Sequence, residues 1–400
     1  MTEIRRITGP ELPLAHRIGT IVYNGRFDYS AEEKPDPLAF PAEWRWAAFE
    51  NGRMVSSLIE IPYLMSFDGH KVKMSGIGGV GTLPEARKGG KVRNIFEKLL
   101  PEAYETGVVF SNLTPFSHAF YRKFGYELSC ARNEVSIPIR AFSSLPFRGQ
   151  FTQIFPGDDT AALDALHKAY IADLNHGIYR DYWPENLGWR IFTRSDPYTT
   201  GTFLYLWQDE SGVPQGYIKY QQQNKNDEPI ISVQELAFTG RDGLYGVLGL
   251  MGGLGAQFRT FQWLMPVFLD PVDLVSDPWS ITQRIIPRDM TRVVNAKTAL
   301  ELMRKPAGEG EFVIDITDPL VKANEGRYLV EYGAEGSRVS LSARDAHIRC
   351  DIPALSQLIT GYRTPENALR TKQPGLEIYG GGEILNRVFT LRPQHVTEYF

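Results

Sequence analysis

The stretch from Gly76 to Tyr126 constrains the fold more than any other part of this chain. It reads GIGGVGTLPEARKGGKVRNIFEKLLPEAYETGVVFSNLTPFSHAFYRKFGY. Small and β-branched residues at 77–83 predict a strand, which Pro84 and Glu85 end before the basic residues and glycines. After the glycines, apolar residues recur at helical spacing, at Val92, Ile95, Phe96, Leu99 and Leu100. The predicted order is therefore strand, basic glycine loop, amphipathic helix, strand and short helix.

A glycine pair, Gly89 and Gly90, stands where this helix starts. A helix start leaves backbone N–H groups uncovered, and the helix dipole adds positive character there, so the position suits an anion. The basic neighbours of the pair are Arg87, Lys88, Lys91 and Arg93. Their charge favours a pyrophosphate over a carboxylate. The loop has neither the Gly-Lys-Ser/Thr end of a P-loop nor the G-x-G-x-x-G of a dinucleotide fold, but an ordinary strand-to-helix turn with surface lysines stays open.

Turn signals separate the strand-like runs that precede this loop. The runs are 44–49, 54–67 and 71–83, and the turns between them are Asn51-Gly52 and Asp68-Gly69. Asn-Gly and Asp-Gly suit two-residue hairpins because both turn positions need a positive φ. The sequence therefore predicts an antiparallel meander that leads into the basic loop.

Length and composition place the chain among ordinary globular proteins. Its 400 residues predict two to four domains, and 42% hydrophobic with 22% charged residues argues against a disordered or fibrous chain. The net charge of −4 gives no sequence-wide attraction to nucleic acid. No run approaches the roughly 18 apolar residues that span a bilayer. The amino terminus does not resemble a secretory signal, so a cytoplasmic protein is expected.

The cysteine content adds little chemistry. The two cysteines, Cys130 and Cys350, are far apart and lack the spacing of metal ligands. We therefore expect neither a disulfide framework nor a metal site.

Two motifs in the central stretch carry a resemblance to a known family. Arg87–Val92, with the sequence RKGGKV, resembles the Arg/Gln-x-x-Gly-x-Gly/Ala loop with which the GNAT acetyltransferase superfamily binds the pyrophosphate of acetyl-coenzyme A, although Val92 departs from its last position. Phe120–Tyr126, FYRKFGY, resembles the Tyr-x-x-Phe-Gly-Tyr that closes the catalytic domain of the enhanced intracellular survival (Eis) family. Members of that family end on an aromatic residue, and this sequence ends on Phe400.

The resemblance implies an α+β fold with mixed sheets, arranged in three domains. A catalytic GNAT domain at 1–147 is followed by a degenerate GNAT domain at 148–284 and a sterol-carrier-protein-like α+β domain at 285–400. The helix start of the second domain, Thr239–Asp242, lacks the R-x-x-G pattern. The glycines inside that helical pattern are Gly246, Gly249, Gly252, Gly253 and Gly255, and we expect them to allow close packing.

The resemblance also implies acetyl-coenzyme A as co-substrate and assigns residues to bind it. These are Val80, Gly81, Thr82, Arg87, Lys88, Gly89, Gly90, Lys91, Val92, Arg93, Phe116 and Ser117. Phe116 stands where some related sequences carry a small hydroxyl residue. Tyr121 is expected beside the thioester, where its phenol supplies the proton that the departing thiolate needs. A structural role for Tyr121 in an aromatic core is the alternative.

The chain terminus and one early loop contain the residues expected to act on the acceptor amine. In the Eis family the tail threads back into the first domain, which implies that the carboxylate of Phe400 takes the proton of the ammonium nucleophile. A terminal carboxylate with an ordinary pKa of about 3.5 is a weak base, so burial or a water relay is needed. Asp28 and Glu398 are the candidates for contacting a cationic substrate. The alternatives are a solvated loop carboxylate at Asp28 and a terminal ring that only fills a groove.

Together these assignments predict an N-acetyltransferase in which an amine attacks acetyl-coenzyme A directly. The resemblance implies an aminoglycoside-like or lysine side-chain amine as acceptor, and a homo-hexamer. No nucleic acid partner and no membrane span are expected. Two alternatives stay open, namely an acyltransferase for a longer acyl-coenzyme A and a non-enzymatic lipid- or ligand-binding protein with a decayed site.

Overall fold

A computed structural model of the chain describes residues 2–23, 38–145 and 148–398. The chain forms two compact units. Unit 1 comprises the described residues of Met1–Cys130, Arg288–Arg392 and Glu398–Phe400, and unit 2 comprises those of Ala131–Pro287 and Pro393–Thr397. Both units mix strands and helices, which confirms the predicted α+β class. Within the described ranges, no helix has the length and apolar character needed to cross a membrane.

The described helices and strands follow one another along the whole chain. The α-helices are α1 (Leu12–Val22), α2 (Lys91–Glu105), α3 (His118–Arg122), α4 (Ala161–Ile171), α5 (Leu187–Thr193), α6 (Pro197–Thr200), α7 (Gly240–Gly253), α8 (Ala296–Leu302), α9 (Ile352–Ile359), α10 (Pro365–Arg370) and α11 (Gly382–Val388). The strands are β1 (Thr2–Arg6), β2 (Arg45–Glu50), β3 (Arg53–Phe67), β4 (His70–Thr82), β5 (Phe110–Leu113), β6 (Glu127–Pro138), β7 (Gln150–Gln153), β8 (Ile178–Tyr179), β9 (Thr202–Gln208), β10 (Pro214–Lys225), β11 (Glu228–Phe238), β12 (Thr260–Pro266), β13 (Thr282–Val293), β14 (Gly310–Thr317), β15 (Gly326–Gly333), β16 (Gly336–Leu341), β17 (Ile348–Asp351) and β18 (Leu376–Ile378).

The first sheet of unit 1 contains the predicted meander. Strands β1, β2, β3 and β4 pair antiparallel in that order, and β4 pairs in parallel with β5. The β2–β3 turn has φ of 51° at Asn51 and 77° at Gly52, and the β3–β4 turn has 48° at Asp68 and 88° at Gly69. Positive φ at both central residues is the backbone that Asn-Gly and Asp-Gly turns predict, so the meander is confirmed.

β4 and β5 separate beyond Ile77. Their pairing ends where Ile77 lies opposite Leu113, while β4 continues to Thr82. The register of β3 against β4 shifts beside Gly79, whose φ is 56°. Because a bulge bends the strand that carries it, β4 turns away from β5 here. The end of β4 therefore has backbone N–H and C=O groups that β5 does not pair.

The amphipathic helix α2 is held against this sheet by its apolar stripe. Ile95, Phe96, Leu99, Leu100 and Ala103 are buried in the core of unit 1. The ring of Phe96 stacks on Phe124 with centroids 4.6 Å apart. Burying a Leu or Phe side chain stabilises a fold by about 1.5–3 kcal/mol, so the stripe fixes the helix firmly. The basic loop at the start of α2 is thus attached to a rigid element.

A second sheet in unit 1 is built from the C-terminal third of the chain. Its strand order is β16, β15, β14, β17 and β18, and β14 pairs in parallel with β17. Helix α9, which follows β17, starts with Asp351 as its N-cap, since that carboxylate accepts from the N–H of Ala354 at 2.9 Å. The mixed sheet agrees with the predicted α+β character of this region.

A buried ion pair explains the glycine of the FYRKFGY motif. One nitrogen of Arg292 donates to both carboxylate oxygens of Asp318 at 2.6 and 2.7 Å, and another donates to the carbonyl oxygen of Phe124 at 2.7 Å. Both charged side chains are completely buried. Gly125 has φ of 85°, and a Cβ atom there would lie 1.8 Å from the guanidinium of Arg292. Any side chain at this position would displace the arginine, so the motif needs glycine.

Unit 2 has the same plan as the first sheet of unit 1. Strands β9, β10 and β11 pair antiparallel, helix α7 follows, and β12 pairs in parallel with β11. β12 also pairs antiparallel with β6, and β7 pairs with β9. The order of antiparallel strands, helix and parallel strand repeats that of β2 to β5. The predicted second copy of the domain is therefore present.

Helix α7 differs from α2 in what surrounds its glycines. A Cβ atom at Gly246 would lie 2.3 Å from Trp207, and one at Gly252 would lie 2.5 Å from the carbonyl oxygen of Phe142. These two positions confirm the expected close packing, whereas Gly253 faces open space. The first turn of α7 also carries Asp242, and a carboxylate there repels an anion.

Two histidines of unit 2 are completely buried. The Nε2 atom of His167 donates to the carbonyl oxygen of Ile178 at 2.8 Å, and Nδ1 lies 2.8 Å from the hydroxyl of Tyr217. Burial lowers the pKa of His167 to about 4 and the pKa of His176 to about 3. Both imidazoles are therefore neutral at pH 7.

We expect the protein to lose stability as the pH falls below about 6.5, the pKa of histidine in an unfolded chain. Below that value the unfolded state binds more protons than the folded state, so each buried histidine removes about 1.4 kcal/mol of unfolding free energy per pH unit. The loss continues down to the folded pKa values near 4 and 3 and is absent above the unfolded value. Urea midpoints measured across this range check it. His176→Gln should flatten the dependence while the exposed His70→Gln should not, and a constant midpoint would contradict it.

Candidate active site

A cavity of about 700 Å³ opens in unit 1 beside the basic loop. Its walls come from the end of α1, the unpaired end of β4, the loop, the first turn of α2, and the region of α3. The described residues that line it are Val22, Tyr23, Val80, Gly81, Thr82, Ala86, Arg87, Lys88, Gly90, Lys91, Val92, Arg93, Phe116, Phe120, Lys123 and Phe124. Five of these are Lys or Arg and none is acidic, so the cavity favours an anionic ligand with an apolar portion.

The start of α2 forms one end of the cavity. Gly90 is the N-cap, has φ of 71° and supplies no side-chain cap, and no acidic residue stands in the first turn. The first backbone hydrogen bond of the helix runs from the N–H of Asn94 to the carbonyl oxygen of Gly90 at 2.9 Å. The N–H groups of the first turn before Asn94 have no helical partner because no earlier turn exists. They can therefore donate to an anion, as the sequence predicts.

The basic side chains of the loop divide into two groups. Arg87, Lys88 and Arg93 are exposed, so their charges can reach a ligand. Lys91 instead forms an ion pair with Glu50, and its Nζ atom also donates to the hydroxyl of Thr2 at 3.2 Å. The ammonium of Lys91 thus ties the helix to β1 and β2. We expect Lys91 to serve a ligand through its backbone N–H rather than its charge.

The unpaired end of β4 forms the floor of the cavity. The hydroxyl of Tyr23, at the C-terminus of α1, donates to the carbonyl oxygen of Val80 at 3.1 Å. Ser56 on β3 donates to the carbonyl oxygen of Gly81 at 2.8 Å. A Cβ atom at Gly81 would approach Ile18 of α1 to 3.1 Å, so glycine lets the helix lie close to the strand. Contacts from α1 and from β3 thus hold the end of β4 in place.

Tyr121 lies behind the cavity wall. Its side chain is 3% exposed, and it is not among the described residues that line the cavity. Its ring makes edge contacts with Phe116 and Phe120, which do line the cavity, at centroid distances of 5.4 and 5.1 Å. Burial raises the pKa of the Tyr121 phenol well above its usual value, and the nearby phenols of Tyr23 and Tyr126 raise it further. The phenol therefore keeps its proton at neutral pH.

Phe116 and Ser117 precede α3 and have different roles. Phe116 is 65% exposed and packs its ring against Phe120 at 5.1 Å. The hydroxyl of Ser117 is the N-cap of α3 and accepts from the N–H of Phe120 at 3.3 Å. Ser117 thus stabilises the helix that carries Tyr121, and the exposed Phe116 lines the cavity.

Most of the predicted co-substrate residues come together at this cavity. Those that line it are Val80, Gly81, Thr82, Arg87, Lys88, Gly90, Lys91, Val92, Arg93 and Phe116. Gly89 and Ser117 are not among the described lining residues. The binding role of each residue stays a prediction, as does the acid role of Tyr121.

The residues predicted to act on the acceptor amine do not come together among the described residues. Asp28 and Phe400 lie outside the described ranges. Glu398 is described but does not line the cavity. The roles of all three residues stay predictions.

Six lining residues were not predicted from the sequence, namely Val22, Tyr23, Ala86, Phe120, Lys123 and Phe124. Tyr23 follows the apolar stripe of α1, and Phe120 and Lys123 belong to the FYRKFGY motif. Residues three apart share one face of a helix, so Phe120 predicts the position of Lys123 once the helix is known. Tyr23 has no such signal, because its place depends on how α1 packs on β4.

No group of three or more His, Cys, Asp or Glu side chains within the described part of the chain is arranged to hold a metal ion. The acidic side chains near the loop are used in ion pairs, such as Glu85 with Arg53 at 2.7 Å.

Comparison with protein families divides the chain into three parts. A family model described as an acetyltransferase (GNAT) domain matches residues 3–129. A second family model with the same description matches residues 180–293. A family model described as a sterol carrier protein domain matches residues 296–395. No curated protein matches the sequence. The two GNAT matches show an acyltransferase enzyme.

Solved structures share this arrangement over the whole chain. A GCN5-related N-acetyltransferase from Anabaena variabilis is 21% identical with a TM-score of 0.88, and a probable N-acyltransferase from Enterococcus faecalis is 20% identical with a TM-score of 0.84. Eis1 from Mycobacterium abscessus is 18% identical with a TM-score of 0.80. Each match covers 100% of both chains. The chain therefore contains two GNAT acetyltransferase domains followed by a sterol carrier protein domain, and its fold is Eis-like.

Proposed function

We propose that this protein transfers the acetyl group of acetyl-coenzyme A to an amine of a cationic substrate, an aminoglycoside-like compound or a lysine side chain. The observation that carries the proposal is the cavity at the start of α2, which joins an uncapped helix N-terminus and exposed basic side chains to an aromatic wall. An amine as acceptor is supported by the names of two structural relatives, an N-acetyltransferase and a probable N-acyltransferase.

The residues of the cavity suit the parts of acetyl-coenzyme A. The first-turn N–H groups of α2, with Arg87, Lys88 and Arg93, would hold the pyrophosphate through charge-assisted hydrogen bonds. The edge of β4 at 80–82 would pair with the amide groups of the extended pantetheine arm, since β5 leaves that edge open. When bound, acetyl-coenzyme A supplies the acetyl thioester.

The proton transfers are assigned to two groups of this chain. The hydroxyl of Tyr121 would donate its proton to the departing thiolate, and its raised pKa ensures that the proton is present at neutral pH. The carboxylate of Phe400 would accept the proton of the attacking ammonium, directly or through water. Glu398 and Asp28 would contribute negative charge for a cationic acceptor. This division is what the resemblance to the Eis family implies, and it stays a proposal for each residue.

Calorimetric titration of the full-length protein tests the binding part of the proposal. We expect acetyl-coenzyme A to bind with micromolar affinity. Acetyl-pantetheine, which keeps the thioester but lacks the pyrophosphate and nucleotide, should bind at least about 100-fold more weakly, because two lost charge-assisted hydrogen bonds cost about 3 kcal/mol or more. Equal affinities would show that the basic loop does not hold the pyrophosphate, and no binding of acetyl-coenzyme A would overturn the proposal.

The transfer part is tested by thiol release from acetyl-coenzyme A with aminoglycosides and lysine peptides as acceptors. Both cysteines of the chain are buried, so a thiol reagent should report the product with little background from the protein. Octanoyl-coenzyme A serves as the comparison for acyl length. Faster turnover with the octanoyl thioester would assign the protein to longer acyl groups instead.

Assembly, location and domain limits are further parts of the proposal. The homo-hexamer and the cytoplasmic location are carried over from the resemblance to the Eis family. The boundaries after residues 147 and 284 are likewise taken from the sequence. Light scattering of the purified protein measures the number of subunits directly.

A further inference from the structure

The side chain of Tyr23 reaches from α1 to the end of β4, inside the cavity of unit 1. Its hydroxyl donates to the carbonyl oxygen of Val80 at 3.1 Å, and both residues line the cavity. Tyr23 is also 54% exposed. Water can solvate an exposed phenol once it leaves its acceptor, so this hydrogen bond is one that a ligand can displace at modest cost.

The carbonyl group of Val80 points to the open edge of β4. Successive carbonyl groups along a strand point to opposite sides. The carbonyl oxygen of Gly81 faces β3, because Ser56 on β3 donates to it at 2.8 Å. The carbonyl oxygen of Val80 therefore faces the other side, where the pairing with β5 has ended at Ile77. An extended ligand lying along this edge would meet it as a hydrogen-bond acceptor.

The backbone of Tyr23 is fixed, whereas its side chain has room to turn. The N–H of Tyr23 donates to the carbonyl oxygen of Gly19 at 2.9 Å and closes the last turn of α1. Ile18 of the same helix is buried, and a Cβ atom at Gly81 would approach it to 3.1 Å, so α1 lies tightly on β4. Rotation of the exposed phenol to another rotamer, rather than movement of α1, is thus the way to release Val80.

The contact lies close to Tyr121. The phenol of Tyr23 is near enough to help raise the pKa of the Tyr121 phenol. Under the proposed function the thioester lies beside Tyr121, so the arm that carries the thioester has to pass the carbonyl group of Val80. In this structure the hydroxyl of Tyr23 already occupies that acceptor.

We propose that Tyr23 is a latch, whose hydroxyl covers the carbonyl oxygen of Val80 until an amide N–H of the incoming ligand replaces it. An arm with amide groups, such as pantetheine, supplies that donor. A nucleotide without an arm and a plain apolar chain supply none. Tyr23 thus makes binding along β4 depend on an amide donor, and it is a specificity-determining residue rather than a catalytic one. The identity of the arm rests on the proposed function, whereas the latch rests on the contact between Tyr23 and Val80.

Calorimetric titration of Tyr23→Phe in the full-length protein tests the proposal. The change keeps the ring and removes only the hydroxyl at an exposed position, so the fold should be retained. We expect Tyr23→Phe to bind acetyl-coenzyme A about fivefold more tightly than the unmodified protein, because a hydrogen bond of ordinary strength no longer has to be broken. ADP keeps the pyrophosphate but lacks the arm, and it should bind the two proteins with equal affinity.

Ser56→Ala is the matched control. The hydroxyl of Ser56 also donates to a carbonyl oxygen of β4, that of Gly81, but it does so from the β3 side and from a buried position. Its removal loosens the same strand end without uncovering an acceptor on the open edge. We expect a lower thermal midpoint and no gain in affinity for acetyl-coenzyme A. Equal gains in Ser56→Ala and Tyr23→Phe would mean that the mobility of β4 governs binding, and would overturn the latch.

The outcomes separate the latch from the function on which the identity of the arm rests. If neither the unmodified protein nor Tyr23→Phe binds acetyl-coenzyme A, the proposed function is wrong and the latch has lost its ligand. If both bind it and Tyr23→Phe binds it equally or more weakly, the latch is overturned while the co-substrate site stands. A gain for ADP as large as that for acetyl-coenzyme A would also overturn the latch, because ADP brings no amide donor.

A crystal structure of the full-length protein with coenzyme A bound provides a second readout. We expect the ring of Tyr23 to have turned away from β4, with an amide nitrogen of the pantetheine arm within hydrogen-bond distance of the carbonyl oxygen of Val80. A bound arm beside a Tyr23 hydroxyl that still donates to Val80 would show that the two do not compete, and would overturn the proposal.

Discussion

Replacing Tyr121 by Phe is expected to lower kcat by about 10²- to 10⁴-fold, the usual contribution of a general acid. The change removes one oxygen atom and keeps the ring, whose edge contacts with Phe116 and Phe120 hold α3 in place. The affinity for acetyl-coenzyme A should therefore change by less than about threefold, because the basic loop is untouched. A fall in kcat at constant KM would assign the hydroxyl to the transition state.

Tyr126→Phe is the matched control for this prediction. Tyr126 belongs to the same motif and is also buried, but its hydroxyl lies 2.7 Å from the hydroxyl of Ser111 in the core. Its loss should cost about 1 kcal/mol of stability and leave kcat nearly unchanged. If Tyr121→Phe behaves like Tyr126→Phe, Tyr121 is an aromatic core residue and the acid must be sought elsewhere.

The pH profile gives a second readout of the same assignment. Because burial raises the pKa of Tyr121, the phenol stays protonated through the mildly basic range. Any fall of kcat at basic pH in the unmodified protein must then come from another group. A basic limb that disappears in Tyr121→Phe would contradict the raised pKa, although it would support the acid role of the phenol.

The sheet that carries the site could be predicted because its signals are local. Asn51-Gly52 and Asp68-Gly69 predict the turns, and the residues between them form the single long strand β3, Arg53–Phe67. The apolar stripe that includes Ile95, Phe96 and Leu99 predicts the helix. Strand β12 carries the same kind of signal, since Phe261, Trp263 and Met265 are buried and alternate with half-buried residues. Our sequence analysis does not predict this strand, although the alternation is present in the sequence.

Long-range contacts could not be predicted in this way. The need for glycine at Gly125 arises from Arg292, and the fixed position of Thr397 arises from Arg180. Each pair is separated by more than 160 residues of chain, so no periodicity relates its members. The loop residues show the same limit, because four basic residues look alike in sequence. Only the fold shows that Lys91 is paired with Glu50, while the exposed Arg87 donates to the carbonyl oxygen of Thr82 at 3.4 Å.

The double variant Arg87→Ala/Gly90→Glu is expected to weaken binding of acetyl-coenzyme A by about 10³-fold. Loss of the arginine removes a charge-assisted hydrogen bond worth about 1.5–3 kcal/mol. The new carboxylate places negative charge at the uncapped start of α2, where the pyrophosphate would lie. Gly90 is exposed and its φ is 71°, so a side chain there adds only about 1–2 kcal/mol of backbone strain.

The second GNAT domain offers a control with the same backbone. Gly240 has φ of 72° at the start of α7, a Cβ atom there meets nothing within 4 Å, and Arg241 follows it. Gly240→Glu/Arg241→Ala therefore repeats the change of charge and of backbone strain at a helix that lacks the basic loop. Calorimetry should find the affinity for acetyl-coenzyme A unchanged in this variant. Equal losses in the two double variants would mean that strain or net charge, rather than the loop, governs binding, whereas a loss confined to Arg87 and Gly90 assigns the pyrophosphate to the start of α2.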